Sequence, residues 1–107
     1  MYWLSVVPHI AKPCRFTIGQ RIDDRFLDLI ELSYTTYFSA KESKNENIGK
    51  CIFVLDKLKY LISVAWEGQL ISNKHFEELA AKLEEAGKML GGWKKSLTNL
   101  QKKNRTL

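Results

Sequence analysis

The chain has 107 residues, 45% hydrophobic and 27% charged, and a formal charge of +5. That composition describes one globular domain, with too little chain for two and too much apolar content for disorder. Two cysteines are too few for a disulfide framework, and six glycines with two prolines argue against a strand-and-turn sandwich.

The uncharged start, Met1 to Ala11, lacks a basic n-region and is far too short to span a bilayer. With no later apolar run of membrane length, the expectation is a soluble, cytoplasmic chain. Within this start Trp3, Val6, Val7 and Ile10 share one helical face, which Pro8 kinks. Lys12-Pro13-Cys14-Arg15 is expected to be an extended link. Thr17-Ile-Gly-Gln20 has the capping-box pattern, predicting a helix from there to about Phe38. Asp24, Asp28, Glu31 and Thr35 form its narrow polar stripe. Nearly everything around that stripe is apolar, so the helix needs neighbours on more than one side.

Ser39 to Asn47 is polar and loop-like, with Lys41, Glu42 and Lys44 starting the next helix. Ile48, Cys51, Leu55, Leu58, Ile62 and Ala65 then alternate spacings of three and four, the seam of helices packed at shallow angles. Phe53, Val54, Tyr60, Leu61 and Val64 lie off this seam, and Gly68 is placed as the C′ residue. Ser72 is the next N-cap. Phe76, Leu79, Leu83, Ala86, Leu90, Trp93, Leu97 and Leu100 continue the three-four series straight through Gly91-Gly92. The unbroken register predicts one helix to roughly residue 102, with the glycines permitting close backbone approach and Trp93 as a packing anchor. Glu78–Lys82 and Glu84–Lys88 are spaced as i,i+4 ion pairs. The expected fold is an all-α, up-down four-helix bundle with a short N-terminal helix, one domain over 1–107 ending in a basic tail from about residue 97.

Charge is unevenly placed. All twelve acids lie between residues 23 and 85, where eight bases leave the middle at −4; the two ends carry nine bases and no acid. Acid-free basic ends attract polyanions, although Lys and Arg at a helix C-terminus also serve the macrodipole. Catalytic patterns are missing by contrast. His9 and His75 are the only imidazoles. No paired Glu-x-x-His units, zinc spacing or glycine-rich phosphate loop occurs. Asp24, Asp28 and Glu31 read as a solvated helix face, and Cys14 near His9 is too thin a basis for a thiolate pair. A non-enzyme without cofactor or metal is expected.

Arg15-Phe-Thr-Ile-Gly-Gln-Arg-Ile22, Leu27-Asp-Leu-Ile-Glu31, Leu58-Lys-Tyr-Leu, Ile71-Ser72 leading to Phe76-Glu-Glu-Leu79, and Ala86-Gly-Lys-Met-Leu-Gly-Gly-Trp-Lys-Lys-Ser96 follow one pattern in order. Over Tyr2 to Ser96 the chain resembles the accessory variability determinant (Avd) proteins of diversity-generating retroelements. It resembles, too, the related four-helix bundle proteins encoded in 23S ribosomal-RNA intervening sequences. The resemblance implies a ring-like homopentamer that binds the reverse transcriptase and template RNA, or the RNA–cDNA hybrid, and supports mutagenic cDNA synthesis without a catalytic centre of its own. The family's third helix carries two basic residues four apart; Lys59 matches the first, and Ser63 stands at the second. The residues expected to contact phosphate are therefore Arg15, Arg21, Lys59, Lys88, Lys94, Lys95, Lys102, Lys103 and Arg105. The competing expectation is a self-associating bundle of the intervening-sequence type with no polymerase partner.

Overall fold

Ile48, Cys51, Leu55, Leu58, Ile62 and Ala65 are all buried, and they run down the middle helix of the molecule. The structure, a computed structural model, describes the backbone of residues 2–105 and the side chains of residues 2–99. It consists of α1 (Tyr2–Val6), a 3-10 turn over Val7–His9, α2 (Lys12–Cys14), a π-helical stretch over Arg15–Gly19, and three long helices: α3 (Gln20–Phe38), α4 (Lys41–Glu67) and α5 (Asn73–Arg105). No strand occurs among the described residues. The bundle measures 57 × 21 × 18 Å. Helix α4 packs on both α3 and α5, which is why its heptad seam is the most completely buried stripe in the chain. The all-helical bundle and the short first helix agree with the sequence reading.

The N-terminal arm closes one end of the bundle. Trp3, Val6 and Ile10 join the core formed by Ile22, Leu55, Leu58, Ile62, Leu79 and Leu83. Trp3 stacks on Phe26 at 5.8 Å between ring centres, and its indole N–H donates to Asp23. Beyond α1 the space between α3 and α5 is left as an apolar groove of about 430 Å³, lined by Leu29, Ser33, Ala86, Met89, Leu90 and Trp93. Trp93 is accordingly half-buried, a wall of that groove and not a fully enclosed anchor.

Several local expectations are corrected. Lys12–Arg15 is helical, because Pro13 sits in a first turn, where its missing N–H and fixed φ cost nothing. Helix therefore exists before Thr17, whose hydroxyl donates to the Cys14 carbonyl (3.2 Å) instead of capping. Position 19 is crowded: a Cβ there would stand 3.2 Å from the Cys14 oxygen. The polar stretch after Phe38 is helical from Lys41, so Ser39 and Ala40 alone link α3 to α4.

Helix α4 ends in a Schellman motif one residue later than expected. Leu70 N–H reaches the Ala65 carbonyl (2.8 Å) and Gln69 N–H the Trp66 carbonyl (2.9 Å). The left-handed residue is Gln69 (φ 62°), and Gly68 has an ordinary φ of −77°. Ser72 caps α5 as expected, its hydroxyl accepting the His75 amide (3.1 Å). Helix α5 does run unbroken through Gly91-Gly92. Nothing lies within 4 Å of a Cβ built on either glycine, so the close approach assigned to them is not made within this chain. Glu78–Lys82 and Glu84–Lys88 do not close; the ion pairs among the described residues are Arg25–Asp28 (3.4 Å) and Lys50–Glu46 (4.0 Å). Lys82 lies instead over the Tyr2 ring at 5.7 Å.

Candidate nucleic-acid interface

The close approach of α4 and α5 is made at Gly49 and Gly87. A Cβ at Gly87 would be 3.4 Å from both Leu55 Cδ2 and Lys59 Nζ, and one at Gly49 would be 3.7 Å from Lys94 Nζ. Each helix thus offers a glycine as the seat for a lysine of the other. Both seats lie along the groove between α4 and α5; Gly49 and Lys59 are ten residues apart on α4, or roughly 15 Å of helix axis. Seating the stems on apolar surface while the amines stay at the groove surface is ordinary behaviour for lysine. Sequence spacing did not expose these pairings, because they join residues 28 and 45 positions apart.

The groove is not uniformly basic. At its Lys59 end a smaller cleft of about 260 Å³ also contains Ser63, Phe76 and Glu84. Ser63, at the position where a second base was absent, turns its hydroxyl back onto the Lys59 carbonyl (2.9 Å). Along α5, exposed Lys88 follows Gly87 and exposed Lys95 follows Lys94. Lys102, Lys103 and Arg105 extend the basic run in sequence; their side chains lie outside the described residues.

The remaining two expected contacts are elsewhere. Arg15 is half-buried and committed to the arm: its Nε donates to the Ile10 carbonyl (2.8 Å) and an Nη to the Pro8 carbonyl (2.7 Å). Arg21 lines a different groove, between α3 and α4, of about 630 Å³. There it meets Arg25 and Lys57, opposed by Asp24 and Asp56, with Phe53 and Tyr60 as aromatic walls. Lys57 Nζ stands 4.5 Å over the Phe53 ring. Phe53, Lys57 and Tyr60 repeat at four and three on one helix face, a legible signal that the charge reading passed over. Structure therefore gathers Lys59, Lys88, Lys94 and Lys95 on α4 and α5, and separates Arg15 and Arg21 from them.

A second exposed feature is apolar. Leu27, Ile30 and Tyr34 of α3 are 55%, 54% and 68% exposed, and Tyr37 and Phe38 continue the same side. Tyr34, Tyr37 and Phe38 pack on one another at 4.8 and 5.0 Å between ring centres. The wide apolar arc of α3 is thus open on the single chain. No helix among the described residues is long and apolar enough to cross a membrane.

The family model described as bAvd-like matches residues 1–97. No curated protein and no solved structure matches the chain.

Proposed function

The chain belongs to the bAvd-like family, an accessory and non-catalytic kind of protein, and on that premise we propose that it is the accessory subunit of a diversity-generating retroelement. In this role it binds the reverse transcriptase and the template RNA, or the RNA–cDNA hybrid, and supports mutagenic cDNA synthesis while the polymerase performs the chemistry. The observation that carries the nucleic-acid half of the reading is the seating of Lys59 and Lys94 over Gly87 and Gly49 along one groove. Ammonium groups held there, with Lys88 and Lys95 beside them, supply charge to a phosphate backbone without reading bases. The open apolar side of α3 supports the protein half. Leucine, isoleucine and three aromatics in one patch favour burial against further copies of the chain, and we propose a homopentamer. Each added copy repeats the lysine groove.

The test is a salt titration of RNA affinity. For single-stranded RNA each neutralised phosphate contributes about −0.7 to the slope of log K against log[salt]. Replacing Lys59 and Lys94 together by Ala should make that slope shallower by about 1.4. An unchanged slope and affinity in the double variant would remove the α4–α5 groove from the interface. Co-expression with a reverse transcriptase of a diversity-generating retroelement tests the partner. A chain that never co-purifies with that polymerase, under conditions where it self-associates, refutes the accessory role.

A further inference from the structure

His9 and His75, the chain's only imidazoles, come from the N-terminal arm and the first turn of α5, yet their ring centres stand 5.2 Å apart with planes inclined at 48°. Tyr2 of the arm also meets the His75 ring edge-on, at 6.1 Å between ring centres. The core contacts of the arm are made by Trp3, Val6 and Ile10, and its polar ties by Arg15 and Asp23. His75 Nδ1 is shielded from solvent and has no hydrogen-bond partner, so one ring nitrogen is left without the donor or acceptor that such an atom ordinarily finds. Around the pair a cavity of about 500 Å³ is lined by the polar Gln69, Ser72 and Asn73 together with Trp66, Leu70 and Ile71. The walls are fixed: Ser72 holds the His75 amide, and Trp66 Nε1 donates to Asn73 Oδ1 (2.7 Å).

We propose that His9 and His75 form a two-imidazole binding site for a divalent first-row transition ion of the zinc class, which pins the N-terminal arm to the start of α5. A metal bonded to a ring nitrogen at about 2.1 Å lies roughly 3.2 Å from that ring's centre, and two such rings at the tetrahedral angle have centres about 5.2 Å apart. The spacing of His9 and His75 is already that one. Imidazole selects zinc, copper and nickel over the hard cations, which prefer oxygen. Among the described residues no third His, Cys, Asp or Glu completes the set, so water takes the remaining positions. The amide end of α5 also disfavours a cation. Both facts make the ion exchangeable and not a structural requirement of folding. The site stands apart from the lysine groove and does not rest on the retroelement reading.

The experiment is calorimetric titration of the metal-free chain with Zn²⁺, repeated on His9→Ala, His75→Ala and the double variant. Neither side chain belongs to the core, and circular dichroism verifies that each variant keeps its helix. One saturable Zn²⁺ per chain is expected, weakened at least tenfold by either single substitution. Zn²⁺ should raise the thermal midpoint of the parent and leave that of the double variant where it was. Cu²⁺ used as a paramagnetic probe should broaden the ring signals of both histidines together. Absence of saturable binding, binding that survives in the double variant, or dependence on one histidine alone would each overturn the proposal.

Discussion

Replacing Arg15 by Ala separates two uses of one cation. Its guanidinium makes a hydrogen bond of 2.8 Å to the Ile10 carbonyl and one of 2.7 Å to that of Pro8, fastening the segment that carries Val6 and Ile10 into the core. Hydrogen bonds to a charged group are worth about 1.5–3 kcal/mol each. The Pro8 contact is exposed and the Ile10 contact only partly buried, so water replaces much of both, and the loss should total about 2 kcal/mol. In a domain of this size that lowers the thermal midpoint by roughly 10 °C. Arg15→Lys is the informative companion. It keeps the charge but not the planar fork that spans two carbonyls, so it should be destabilised nearly as much as the alanine variant. Thermal melts measure the stability, and hydrogen exchange should show the loss concentrated in residues 2–10. RNA affinity measured below both midpoints should change less than it does for Lys94→Ala. Full stability of Arg15→Ala, combined with an RNA affinity loss that Arg15→Lys restores, would refute the clamp and return Arg15 to the phosphate contacts.

Three other variants test further structural claims. Gly91→Ala with Gly92→Ala should stabilise the isolated chain by about 1–2 kcal/mol, since no atom lies within 4 Å of either new Cβ. Denaturant melts check the gain; a destabilised double variant would mean that the helix is crowded there. Trp93→Ala should cost about 2 kcal/mol, below the roughly 3–5 of an enclosed tryptophan, because one side of the ring faces the α3–α5 groove; a larger loss at dilutions where the chain is monomeric would show that the groove is closed. Gln69→Gly should stabilise by about 1 kcal/mol, as it relieves a left-handed backbone at φ 62°, and a lower melting midpoint would contradict the Schellman assignment.

What the sequence made legible was periodicity. The series from Ile48 to Ala65 is buried at every position, and the register argument carried α5 through two glycines that local propensity would have used as a stop. Both inferences rest on repeated packing over many turns, which a single residue cannot reverse. The failures were local or long-range. Thr17–Gln20 has the right letters for a cap, but capping requires that no helix precede it, and Pro13 begins one upstream. Gly68 is the C′ residue that glycine's tolerance of the left-handed region suggests, whereas the motif's hydrogen bonds from Gln69 and Leu70 decide which residue adopts it. The lysine seats on Gly49 and Gly87 and the pairing of His9 with His75 depend on antiparallel register and arm placement, to which spacing along the chain is blind. Net charge told where bases were abundant, yet it treated Arg15 and Lys94 alike. One is spent on backbone carbonyls and the other lies in a groove.

The two exposed features belong to different helices, and this constrains how a complex is built. Helix α4 packs on both α5 and α3, and the three helices share one core. The lysine groove lies between α4 and α5, while Leu27, Ile30, Tyr34, Tyr37 and Phe38 are carried by α3. Protein contacts that bury the α3 patch need not cover Lys59 or Lys94, so a polyanion and an apolar partner can be held at once. The alternative, in which one surface serves both, would place a desolvated apolar patch against phosphates and cost the hydration of each charge buried with it. Substituting Leu27 and Ile30 by Asp should on this reasoning abolish self-association while each freed chain keeps its salt-dependent affinity for RNA. Equal loss of both properties, in a variant that still melts cooperatively, would show that the RNA site is assembled between copies and not carried by each one.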